Sequence, residues 1–171
     1  MKKILLTLAV AIAATIGAAA QKFALVDMEY IMKNIPAYEM ANEQLNQLSQ
    51  RYQREIEVAN NEASELYQKY LQDKVFLTAE QVKAREQEVV DKETAATKLR
   101  YKYFGPDGEL EKKRQSLLKP VQDDVYNAIK KLAEEKGYQM IMDRASSSDI
   151  VFASPRIDIS NEVLAKLGYS N

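Results

Sequence analysis

The chain has 171 residues, enough for one ordinary domain, and its 24 Lys and Arg nearly balance 25 Asp and Glu. It has no Cys, His or Trp, so the thiol nucleophile, the commonest general base and the commonest transition-metal ligands are missing. Five Gly and no Gly-rich phosphate loop weigh further against an enzyme, which would have to work with carboxylates, Lys, Tyr or Ser alone.

The first twenty residues stand apart. Lys2 and Lys3 supply a positive start, Ile4 to Ile16 form an apolar run, and Ala18-Ala19-Ala20 is a small-residue cleavage site. They read as a signal peptide, with the mature chain starting at Gln21; the apolar run is short of the ~20 residues a spanning helix needs. Without Cys the cleavage point cannot be lipid-modified, so the expected product is soluble and stabilised by packing or oligomerisation rather than disulfides. Losing two lysines leaves 22 basic against 25 acidic groups, a net charge of −3. That argues against nucleic acid as a bulk electrostatic partner.

Phe23-Ala-Leu-Val-Asp27 reads as a buried strand whose last residue caps a short helix, Met28 to Asn34. Asn34-Ile35-Pro36 breaks that helix, because the residue before Pro is pushed out of the α region. From about Tyr38 to Phe76 the sequence predicts a helix of some 58 Å at about 1.5 Å per residue. Its apolar stripe is narrow: Ala41, Leu45, Leu48, Tyr52, Ile56, Ala59, Ala63, Leu66 and Tyr70. The rhythm is the heptad of a helix lying along a partner, with one extra four-residue step from Tyr52 to Ile56 that acts as a partial stutter. Thr78 with Gln81 forms a capping box, so Leu77 to Gln81 is a tip and a second helix descends to Phe104. Val82, Val89, Ala96 and Tyr103 keep heptad spacing with Leu99 beside them. Charged Arg85, Glu86 and Glu93 occupy intervening slots, giving a thinner seam and a compliant hairpin.

Gly105-Pro106-Asp107-Gly108 is strong turn chemistry. A helix resumes at Glu109 with Leu110, Leu117, Val121, Val125, Ala128 and Leu132 on one face; Pro120 inside it predicts a kink or break, and Gly137 ends it. Tyr138 to Asp143 and Ile150 to Ala153 read as strands around a polar loop, and the spacing predicts an antiparallel hairpin. Ser146, Ser147 and Ser148 are loop residues rather than nucleophiles. Asp158 or Ser160 caps a closing helix, Asn161 to Leu167, stopped by Gly168. Three short strands and a small helix are a poor core for a monomer, so oligomerisation is expected.

Several segments now make a resemblance plain. The exported start before Lys22-Phe-Ala-Leu-Val-Asp27, the helical hairpin, Ala128-Ile-Lys-Lys-Leu-Ala-Glu-Glu-Lys-Gly-Tyr138 leading into a strand, and the stretch from Ile150 to Leu167 follow one another in a familiar order. The chain resembles the Skp/OmpH family of periplasmic chaperones over the mature length. The resemblance implies an α+β fold: a small β-body used for trimerisation, 21–37 and 105–171, with a long projecting α-helical coiled-coil hairpin, 38–104. It implies a homotrimer whose arms surround a cavity. It also implies ATP-independent holding of unfolded outer-membrane β-barrel proteins in the periplasm, with no cofactor and no metal. Contact with a membrane surface stays open, and no residues match a lipopolysaccharide site. Well-known members are strongly basic. Within the hairpin, Tyr38 to Phe104, only Lys69 to Lys102 is positive here, with eight basic against six acidic groups.

On this reading the candidate client-binding residues lie in the distal hairpin: Tyr67, Lys69, Tyr70, Lys74, Phe76, Lys83, Arg85, Lys98, Arg100, Tyr101 and Lys102. The aromatics offer apolar bodies with polar edges, and the bases offer attraction. Tyr70 and Tyr103 fit the seam better than a client, whereas Tyr67 and Tyr101 lie off the stripe. Candidate trimerisation residues are Phe23, Leu25, Val26, Met140, Ile141, Met142, Val151 and Phe152. The alternative is a structural coiled-coil spacer or assembly adaptor of the envelope, which predicts a folded, specific partner.

Overall fold

The computed structural model describes residues 22–147 and 150–169. The predicted signal peptide, its cleavage point at Gln21, and Ser148 of the serine loop lie outside them. The chain divides into two units, one built from the residues up to Ile35 and from Asp124 onward, the other from Pro36–Asp123.

In the first unit β1, Phe23–Val26, pairs in parallel with β2, Met140–Asp143, in the register Phe23 to Met140 through Val26 to Asp143. On its other edge β1 meets Asp158 through a single bridge at Leu25, and the Ile159 amide donates to the Leu25 carbonyl at 2.9 Å. Asp27 caps α1, Met28–Lys33, by accepting from the Tyr30 amide at 2.8 Å. Its second oxygen takes Arg144, which also reaches Asp158. Ser160 accepts from the Asp27 amide and donates to Asp158. This polar knot ties the end of β1 to the start of α5, Ser160–Lys166. Ala24, Leu25, Ile31, Val125, Val163 and Leu164 are among the unit's buried side chains.

The predicted antiparallel hairpin is corrected. The strand expected at Ile150 to Ala153 does not form, and the first two strands run parallel, joined by the long helical crossover that parallel pairing requires. Val151 is 99% exposed and Phe152 84%. β-prone residues hold strand geometry only against a paired strand, and among the described residues no strand pairs with this segment.

The second unit begins with α2, Pro36–Asp73, where Pro36 opens the helix at a position that needs no amide donor. Lys74–Phe76 add a 3₁₀ turn. The capping box at Thr78 and Gln81 then starts α3, Ala79–Phe104, with both reciprocal bonds formed. Every residue of the predicted α2 stripe is buried or half-buried, and so are Val82, Val89, Ala96, Leu99 and Tyr103 on α3.

Glu109–Lys136 form α4, which runs through Pro120 without the predicted break. Pro120 is exposed, so its ring points away from the packed face, and the Ser116 carbonyl forgoes its helical donor. Within this unit α2 changes partner. Near its start Ala41 and Leu45 pack with Leu117 and Leu118 of α4. From Tyr52 onward the stripe packs mainly on α3, with Tyr52, Ile56 and Tyr103 in one cluster that Leu110 at the start of α4 also touches. The extra four-residue step falls at this handover. Advancing four residues instead of the heptad average turns the stripe part-way round the helix, which re-aims it at the new neighbour.

Candidate functional site

The hairpin's seam is apolar at its axis and closed by tyrosines. Tyr52 and Tyr103 stack with ring centroids 3.8 Å apart and planes within 5°, and Phe104 meets Tyr52 edge-on at 6.3 Å. The Tyr52 hydroxyl donates to Glu109 at 2.9 Å, and the Tyr103 hydroxyl donates to Glu55. Glu55 accepting that hydrogen bond, together with burial, pushes the Tyr103 phenol up to about 12. Burial, then Glu109, raises Tyr52 as well, while the Tyr52 hydroxyl and Lys102 hold the Glu109 carboxyl below the usual carboxylate range. Further out, Tyr70 donates to Glu86 at 2.5 Å, and Lys74 lies 5.1 Å above the Tyr70 ring and 3.7 Å from Glu86. The Tyr70 hydroxyl, with Glu86 behind it, raises the Lys74 ammonium. These groups form a satisfied lattice suited to holding two helices together; proton transfer to a substrate would need one of them free.

The candidate client residues fall into separate places. Tyr70 is only 5% exposed and belongs to the seam. Tyr67 and Lys74 line a groove of about 430 Å³ beside it, with Leu71 and Val90. Arg100 lines a second groove of about 460 Å³ with Gln53, Ile56, Asn60 and Phe104. Phe76 sits in the 3₁₀ turn at the tip, 85% exposed, and Val75 beside it is nearly as open. Arg85 pairs with Glu88 and Lys102 with Glu109, so part of their charge is already spent. Lys69, Lys83, Lys98 and Tyr101 are exposed and line neither groove. No arrangement gathers all eleven.

Leu71, Val75, Val90 and Phe104 did not stand out in the sequence, though all four are exposed apolar side chains. A signal existed: Leu71 stands one turn beyond Tyr67, and Val90 two heptads before Phe104, beside the stripe rather than on it.

The candidate trimerisation residues also divide. Leu25 and Val26 are buried within their own unit, and Ile141 is half-buried. Phe23, Met140, Met142, Val151 and Phe152 are exposed. Among the described residues nothing pairs with the far edge of β2. At the end of that strand, burial would raise Asp143, but the amides of Met28, Ala145 and Ser146 and the Ser146 side chain outweigh it and hold its carboxyl low. No cluster among the described residues has the ligands for a metal, and no described helix is long and apolar enough to cross a membrane.

A family model described as outer membrane protein (OmpH-like) matches residues 22–167. Among solved structures, a Caulobacter crescentus CB15 protein provisionally described as an outer membrane chaperone (OmpH-like) superposes with a TM-score of 0.68. The match covers 88% of this chain and 86% of that one at 15% identity, which establishes a common fold. No curated protein matches the chain in sequence.

Proposed function

The chain belongs to the OmpH-like outer membrane protein family, and from that premise we propose that it is a periplasmic holdase. It binds unfolded outer-membrane β-barrel proteins without ATP and keeps them from aggregating. The observation that carries this reading is the division of labour on the hairpin. The stripe residues are consumed by helix pairing, while Tyr67, Leu71, Val75, Phe76, Val90 and Tyr101 remain outside it and exposed. A monomeric spacer has no use for so many uncovered apolar groups. Many weak apolar contacts on a compliant frame suit a chain with no fixed shape.

We further propose a homotrimer, in which residues 21–37 and 105–171 form the body and 38–104 the arm. The open edge of β2, with Phe23, Met140, Met142, Val151 and Phe152 uncovered, supports self-association through the body. Export by the predicted signal peptide puts the protein in the compartment where such clients pass.

The test is dilution of a urea-denatured outer-membrane barrel protein into buffer with stoichiometric amounts of this protein and no nucleotide. Light scattering stays near baseline if the reading is right. Aggregation at the rate seen without the protein overturns it, and stable binding only to a folded envelope protein favours the spacer.

A further inference from the structure

The two grooves on the hairpin occupy corresponding backbone positions two heptads apart, with different side chains at most of them. Gln53 and Glu57 at the first groove have Tyr67 and Leu71 as their counterparts fourteen residues on along α2. On α3, which runs the other way, Phe104 and Arg100 have Val90 and Glu86 fourteen residues earlier. Fourteen residues are two heptads, so all eight positions lie along one flank of the seam. Ile56 floors the first groove and Tyr70 the second, again two heptads apart. The opposite flank differs. There Lys92 and Glu62 bridge the helices at 3.0 Å, Arg85 holds Glu88, and Val58 is the one large apolar side chain exposed among the described residues of that side.

We propose that this flank of the hairpin, running from Phe104 and Arg100 to Tyr67, Leu71 and Val90, is a track for one extended, non-native polypeptide segment whose apolar side chains alternate. The proposal rests on the holdase reading and names the surface that performs it. Three observations choose the occupant. Two heptads of helix span about 21 Å, which an extended chain at about 3.4 Å per residue covers in about six residues. Six is even, so side chains entering the two grooves come from the same face of the guest, as an alternating strand requires. Asn60 at the edge of the first groove and Ser64 and Thr97 between the grooves are all exposed, and their amide and hydroxyls can pair with the guest's open backbone groups. The charge along the two grooves is nearly balanced, with Glu57, Glu86 and Glu93 against Lys74 and Arg100. Such a track complements a mixed or neutral chain and gives a polyanion no net attraction.

The test uses the full-length protein with a urea-denatured outer-membrane barrel protein as probe. A photo-crosslinking amino acid is placed at Ser64 or Thr97 on the proposed track, and at Glu65 or Ala95 on the opposite flank; all four positions are exposed. The expected adducts with the probe form at Ser64 and Thr97, with few at the other two. In parallel, Tyr67→Ser, Leu71→Ser and Val90→Ser together weaken probe binding roughly tenfold or more, whereas Val58→Ser with Glu65→Ser changes it by no more than about twofold. All five side chains are exposed, and unchanged helical circular dichroism excludes unfolding as the cause. The track is overturned if the wild-type protein binds the probe but adducts form equally on both flanks, or if the triple variant binds as wild type. Adducts from Ser64 and Thr97 only to a second copy of this chain also overturn it. A wild-type protein that binds no denatured probe brings down the holdase reading itself, and the track with it.

Discussion

Tyr52 and Tyr103 show how single side chains decide this hairpin's strength. Each ring is buried against the other, and each hydroxyl ends on a carboxylate, so neither pays for an unsatisfied polar group. The Tyr103 phenol, at about 12, lies above the tyrosine value of about 10 expected in an unfolded chain. A raised acid group stabilises the native state fully below the unfolded value and loses that contribution as pH rises through the folded one. The hairpin therefore weakens between about pH 10 and 12, read as loss of helical circular dichroism alongside tyrosinate absorbance. Tyr103→Phe keeps the stack, costs about 1 kcal/mol near neutral pH because Glu55 can turn to water, and flattens that alkaline step. Glu109 works in the other direction: its lowered carboxyl helps above the ordinary carboxylate range and ceases to as pH falls through its folded value. At Gly108 the constraint is steric. A Cβ there would lie 2.7 Å from the Tyr103 carbonyl oxygen and 2.9 Å from the Gly105 nitrogen, both backbone atoms. Gly108→Ala should cost about 1–3 kcal/mol in urea melts.

At the scale of elements, the helices follow rules written in the sequence, and their one irregularity follows from a neighbour. The stripe on α2, the capping box at Thr78 and the glycine stop at Gly137, with φ at +70°, all form as spacing dictates. Thr78→Ala removes a cap worth about 1 kcal/mol, and faster amide hydrogen exchange confined to the tip is the expected readout. The stutter at Tyr52 to Ile56 was visible as a step of four, but the neighbours beside it were not: there the packing of α2 passes from α4 to α3, with Leu110 of α4 touching both clusters. Pro120 shows the limit of a local rule. It removes one helical bond without ending α4, because the face it spoils is exposed. Pro120→Ala should raise stability, by up to about 3 kcal/mol if the ring strains the helix fully, measured as an increase in Tm.

At the scale of the whole molecule, the body carries uncovered apolar surface. Phe152 and Val151 are nearly naked, and the outer edge of β2 is unpaired among the described residues. In a homotrimer these become interior, so Phe152→Asp places a charge where desolvation is costly. Native mass spectrometry should then shift from three chains to one while the hairpin's helical signal persists; a wild-type mass of one chain refutes the assembly. The same logic explains why the strand expected at Ile150 to Ala153 is missing from a single chain. Its β-propensity is real, but nothing among the described residues supplies the ladder.

By itself the sequence determined whatever depends on neighbours a few residues apart: the helical stripes, the Asp27 and Thr78 caps and the Gly105 to Gly108 turn. Periodicity also separated Tyr70 and Tyr103, which the seam consumes, from Tyr67 and Tyr101, which it leaves outside. Only the tertiary structure decided matters that turn on distant partners. It made β1 and β2 parallel, exchanged α4 for α3 beside Tyr52, sank Leu25 and Val26 into the body, and brought Phe104 and Arg100 onto the flank that carries Tyr67, Leu71 and Val90. The reason is physical. Local periodicity says which face of a helix is apolar, but which second helix or strand lies against it depends on contacts dozens of residues away, and those leave no spacing to read.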